Sequence, residues 1–131
     1  MSISYLFTLE ELHGAAEMLF REGLKQKLPP LPTAAKGQDN LAENMRVKGL
    51  LYAEKGVYHP TRFLAGMMKM IKQGTLWKSK DGATYLYQYK GTYLVLSQDE
   101  NGRNRVKITP FQSEKDMKQS GYDFLFQGES Q

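Results

Sequence analysis

The feature that most constrains this 131-residue chain is a change of hydrophobic period at Gly74. Before it, apolar residues recur every three or four positions. After it, they alternate with polar ones, which is the strand period. Four stretches read as strands: Thr75–Ser79, Ala83–Tyr89, Thr92–Ser97 and Arg103–Thr109. They are separated by Asp81-Gly82, Lys90-Gly91 and Asn101-Gly102. Such pairs favour two-residue hairpin turns, because glycine accepts positive φ. A four-stranded antiparallel meander is predicted.

Two-residue turns dictate a register, and a register assigns faces. The Lys90-Gly91 turn sets Tyr87 opposite Leu94 and Tyr85 opposite Leu96. Asp81-Gly82 sets Trp77 opposite Leu86. Asn101-Gly102 sets Val95 opposite Ile108 and Leu96 opposite Lys107. One face then carries Trp77, Leu86, Tyr93, Val95, Val106 and Ile108, the natural surface for helices to cover. The other carries Leu76, Lys78, Tyr85, Tyr87, Tyr89, Leu94, Leu96 and Lys107.

The N-terminal part reads as helical. Thr8 and Glu11 stand at capping-box spacing, where each side chain bonds the other residue's backbone N–H. Leu9, Leu12, Ala16, Leu19 and Phe20 form one stripe behind them, with Gly23 as the stop. Gly14 inside this helix costs about 1 kcal/mol against alanine. Leu28-Pro29-Pro30-Leu31-Pro32 cannot continue a helix and reads as a stiff extended connector. A second helix is predicted over about Asn40–Lys55, capped by Asp39 and Gly56. A third begins at Pro60, carries the stripe Phe63, Leu64, Met67 and Ile71, and ends at Gly74. Ser113 caps a short fourth helix that ends near Gly121, followed by an aromatic tail with Phe124 and Phe126. The predicted fold is a single α+β domain. N-terminal helices (about 8–73) pack on one face of the four-stranded meander (about 75–109). The C-terminal helix and tail occupy 112–131.

Composition narrows the chemistry. The chain has no cysteine, which excludes disulfides, thiolate zinc sites and thiol nucleophiles. No apolar run reaches the ~18 residues of a membrane helix, and the start lacks the basic and apolar regions of a secretion signal. A cytoplasmic protein is expected. Two histidines, His13 and His59, have no partner at metal or catalytic spacing. No nucleophile elbow, zinc-protease or phosphate-loop motif is present. Asp99-Glu100-Asn101-Gly102 has the start of a calcium loop, but Arg103 and Arg105 fall where ligands belong. No catalytic, metal or cofactor site is expected, and the chain reads as a non-enzyme.

Charge is uneven. Glu43 to Lys80 holds eight cations and two anions in a chain of net charge +4. A basic stretch steers acidic partners or nucleic acid, and a solvated helix face carries the same charges with no partner. Three readings fit the tyrosine face: a second core surface covered by the C-terminal tail, a surface for a partner or a second copy, or a base-stacking platform. Arginine is scarce beside the aromatics, which argues against nucleic acid. The surface chosen for partner binding is Tyr85, Tyr87, Tyr89, Leu94 and Leu96, with Phe124 and Phe126.

Two resemblances arise in the middle of the chain. Phe7-Thr8-Leu9-Glu10-Glu11-Leu12, then Val47-Lys48-Gly49-Leu50-Leu51 and Gly56-Val57-Tyr58, followed by an apolar helix and a sheet, resemble the EspG-type chaperones of type VII secretion. The resemblance implies a cytosolic, non-enzymatic adaptor that binds a secreted helical substrate or toxin. Those proteins have two similar halves and this chain matches one, which implies a homodimer that restores the second. Lys48-Gly49-Leu50-Leu51, Gly56-Val57-Tyr58 and Pro60-Thr61 are also similar to the phrase leading into the wing of winged-helix regulators. That resemblance implies DNA binding, as an alternative. A small immunity protein is a further alternative within the protein-binding class.

Overall fold

The computed structural model describes residues 3–31, 41–98, 105–123 and 129–130. It is an α+β fold built on an antiparallel sheet. In chain order the strands are β1 (Tyr5–Thr8), β2 (Leu51–Glu54), β3 (Val57–Pro60), β4 (Thr75–Lys78), β5 (Thr84–Tyr89), β6 (Thr92–Gln98), β7 (Arg105–Phe111) and β8 (Glu129–Ser130). The helices are α1 (Leu9–Phe20), α2 (Leu41–Val47), α3 (Arg62–Gln73) and α4 (Glu114–Gln119). The main sheet runs β1-β7-β6-β5-β4, with the two-residue β8 beyond β4, and β2-β3 form a separate hairpin. The expected four strands are therefore present, and β1 adds a fifth at one edge.

Local signals explain most elements. The capping box of α1 forms in both directions, with Glu11 N–H on Thr8 Oγ1 and Thr8 N–H on Glu11 Oε1. Arg21, not Gly23, closes this helix in the left-handed region at φ 57°. Gly14 lies against Leu41, whose Cδ2 is 3.1 Å from where a Cβ would stand, so α2 presses on α1 there.

The predicted long second helix is replaced by a helix, a turn and a hairpin. α2 ends after Val47 because Gly49 takes φ +80°. Gly49 N–H then bonds Arg46 O, and Leu50 N–H bonds Met45 O. These are the two bonds of a Schellman motif, with Leu50 and Met45 buried beside each other in the core. Gly56, expected as a helix cap, sits in a hairpin turn instead. Lys55 and Gly56 both have positive φ, 53° and 77°. Pro60 closes β3 and is not a helix start. Thr61 caps α3, accepting from Leu64 N–H. Gly74 ends α3 as expected, and a Cβ there would lie 2.5 Å from Met70 O.

The sheet carries a core on each face. Two of the three predicted turns set the expected register: Tyr87 pairs with Leu94 and Trp77 with Leu86. The third does not. Leu96 pairs with Ile108 and Val95 with Thr109, one residue away from the expected match. A one-residue shift sends every side chain of a strand to the opposite face. Val106 and Ile108 therefore join Tyr85, Tyr87, Leu94 and Leu96, and that enlarged apolar face lies under α1 and α3. The opposite face keeps Leu86, Tyr93, Val95 and Phe111, covered by Met117 of α4 and flanked by Trp77 and Tyr122.

Candidate partner-binding surface

The face expected to meet a partner is the main core. Tyr87 is 0 % exposed, Leu94 2 %, and Tyr85 and Leu96 are likewise buried. This corrects the expected open tyrosine face, and with it the stacking platform. The cause is the β7 register, which adds Val106 and Ile108 to the tyrosine side and makes it the larger apolar layer. Burial holds the Tyr87 hydroxyl proton far above the usual phenol range, with the neighbouring Tyr85 adding to the shift. It remains a donor, and it donates to the Lys27 carbonyl. Lys27 Nζ in turn donates to Gly74 O at 2.5 Å. This chain of bonds ties the segment after α1 to the sheet and to the end of α3. Tyr89, at the rim, donates to Gln73 Oε1 at 3.1 Å. Phe124 and Phe126 lie outside the described residues.

His13 and Glu11 are held structurally. His13 Nε2 meets the Pro29 carbonyl at 2.8 Å, which requires that nitrogen to carry the proton. Glu11, buried at the base of α1, takes an ion pair from Lys48 Nζ at 2.7 Å. Among the described residues, no three histidine, aspartate or glutamate side chains gather where they could hold a metal. No helix among them is long and apolar enough to cross a membrane.

Two features of the surface stand out in their place. The first is the β2–β3 hairpin. Leu51 anchors its base, and Thr61 N–H and Oγ1 both bond Leu50 O at 3.0 Å. Beyond the base the side chains are open: Val57 is 55 % exposed and Tyr52 48 %. Tyr52 stacks on His59 across the strands, ring centroids 5.3 Å apart. Tyr58 points the other way and donates to Glu43 on α2 at 2.9 Å. Arg46 also binds Glu43, through Nε at 2.9 Å and Nη2 at 2.5 Å. The Arg46 bond, then the Tyr58 bond, pull the Glu43 carboxyl down to about 2.

The second feature is an apolar cleft of about 210 Å³ between α3 and the β1 end of the sheet. Phe63, Met67 and Met70 form its helical wall. Leu94, Ile108 and Pro110 lie opposite, with Tyr5 beside Phe63 at a centroid distance of 4.5 Å. Phe63 is 37 % exposed at the mouth. Methionine side chains adapt their shape, so such a wall accommodates more than one apolar group.

Sequence reasoning missed both features. The signals were present: Lys55-Gly56 has the same form as Lys90-Gly91, and Tyr5-Leu6-Phe7 is a short strand-forming run. No protein-family model matches the chain, and no curated protein is similar to it.

Proposed function

We propose that this protein works by binding another protein, without catalysing a reaction. The more specific reading is a cytoplasmic, chaperone-like adaptor for a secreted substrate or toxin of bacterial type VII secretion. The observation that carries the binding reading is the apolar cleft with Phe63 at its mouth, beside a hairpin that leaves Tyr52 and Val57 in solvent. A partner that covers Phe63, Tyr52 and Val57 removes apolar surface from water, which favours association. The secretion reading rests on the phrases around Lys48-Gly49-Leu50 and Gly56-Val57-Tyr58 alone.

The test is site-specific crosslinking in the source cells. A photoreactive residue at Phe63 or Val57 is expected to give one discrete protein adduct, and one at Lys115 on α4 to give none. An adduct with a component of a type VII system supports the adaptor reading. Equal labelling from all three positions overturns the binding reading. Light scattering tests the homodimer, expected at twice the chain mass.

A second reading is supported by one observation. A short helix, α2, leads directly into the β2–β3 hairpin with Lys55 in its turn. This is the helix-then-wing order of a winged-helix DNA reader. Under that reading, duplex DNA binds at low salt and dissociates steeply as salt rises.

A further inference from the structure

Two adjacent stripes run along α3, the first exposed at Phe63, buried at Met67 and half-buried at Met70. Phe63, Met67 and Met70, spaced four and three apart, line the cleft. Arg62, Gly66 and Lys69 repeat the same spacing one residue earlier, so they form the neighbouring row on the helix surface. All three are exposed. Nothing lies within 4 Å of where a Gly66 Cβ would stand, so this row is low in its middle and open above. The twelve residues of α3 include no carboxylate. Its third cation, Lys72, is held by Glu22 at 3.4 Å. Arg62 and Lys69 have no ion-pair partner among the described residues.

We propose that the α3 cleft receives an acidic segment of a partner protein, with one apolar side chain in the cleft and carboxylates on Arg62 and Lys69. The proposal rests on the protein-binding reading and narrows its partner class. Three observations carry it. The cleft, at about 210 Å³, has room for one leucine- or methionine-sized group, since roughly 150 Å³ holds a benzene-sized one. The two cations flank it with the same sign. The bare Gly66 between them lets a partner backbone approach the helix closely. A purely apolar ligand leaves Arg62 and Lys69 unused, and a polyanion without apolar groups leaves the cleft unfilled.

The experiment uses the full chain and two fluorescein-labelled peptides of about twelve residues. One repeats leucine and glutamate pairs; its twin has glutamine for every glutamate. Fluorescence anisotropy is expected to show the acidic peptide binding about tenfold tighter than its twin. Arg62→Glu with Lys69→Glu should erase that difference. Phe63→Ser should weaken both peptides, and melting curves check that the variants stay folded. Equal binding of both peptides, weakened by Phe63→Ser, overturns the acidic class and leaves the binding reading standing. No binding of either peptide overturns both. Binding of random duplex DNA that falls with salt and with Arg62→Ala assigns the cations to phosphates, and likewise overturns the proposal.

Discussion

Two hairpins in this molecule turn on the same dipeptide and meet opposite fates. Lys55-Gly56 joins β2 to β3, and Lys90-Gly91 joins β5 to β6. All four residues have positive φ, 53° and 77° in the first turn, 46° and 79° in the second. This is the type I′ geometry that matches strand twist. Yet β5–β6 is the centre of the sheet, with Tyr87, Leu94, Leu86 and Val95 all buried. β2–β3 is open to solvent beyond its base. The turn decides only that the chain reverses. The flanking strands decide whether the pair is covered: β5 and β6 are apolar on both faces and attract a layer on each. β2 and β3 meet α2 on one face only, through Tyr58 and Glu43.

The sharpest contrast is truncation. Leu94→Ala or Tyr87→Ala should cost about 3–5 kcal/mol in urea unfolding, since each removes a buried side chain from the centre of the sheet. Tyr52→Ala or Val57→Ala in the other hairpin should stay within about 0.5 kcal/mol. Equal losses would show that the β2–β3 hairpin is covered in solution by something that buries it. Between α1 and the turn that leads into β2, Lys48→Met leaves the buried Glu11 carboxylate without its ammonium partner. A loss of about 1–2 kcal/mol is expected there, below that of a fully buried pair because Lys48 is itself partly in water. Calorimetry of Lys48→Met beside wild type checks it.

The two turn glycines make a finer test. Gly91→Ala and Gly56→Ala each force a Cβ into the left-handed region, at about 1 kcal/mol. In β5–β6 this should appear in global unfolding. In β2–β3 it should appear as faster amide exchange in that hairpin, with the global midpoint little changed. The smallest effect is electrostatic. Glu43 has its folded pKa depressed to about 2, below its unfolded value near ~4.3. Its contribution is complete above the unfolded value and fades as pH falls from about 5 to about 2. Nuclear magnetic resonance of the Tyr58 ring should follow that titration, and Arg46→Ala should move its midpoint upward.

The helix caps and hairpin turns that were legible are short-range devices. The Thr8–Glu11 box, the Ser113 cap and two of the three sheet turns needed no distant contact. The end of α2 was equally local. Gly49-Leu50 spells a Schellman stop, and Lys55-Gly56 spells a turn. The expected helix over Asn40–Lys55, with Gly56 as its cap, spans both signals and conceals the hairpin. The proposed site was harder to see. Phe63, Met67 and Met70 lie close in sequence, but Tyr5, Leu94, Ile108 and Pro110 reach the cleft only through β1, β6 and β7.

The amino-acid sequence by itself determined where this chain reverses and caps, and that its second half forms antiparallel strands, because such choices are settled by neighbours within a few residues. Tertiary structure alone decided which side of the sheet became the main core. Both sides of β5 and β6 are apolar, so local patterning left the choice balanced. The pairing of β7, one residue from the match a two-residue turn would impose, placed Val106 and Ile108 beside the tyrosines and drew α1 and α3 onto that side. With the tyrosines enclosed, Phe63 and the β2–β3 hairpin are among the apolar groups that face outward.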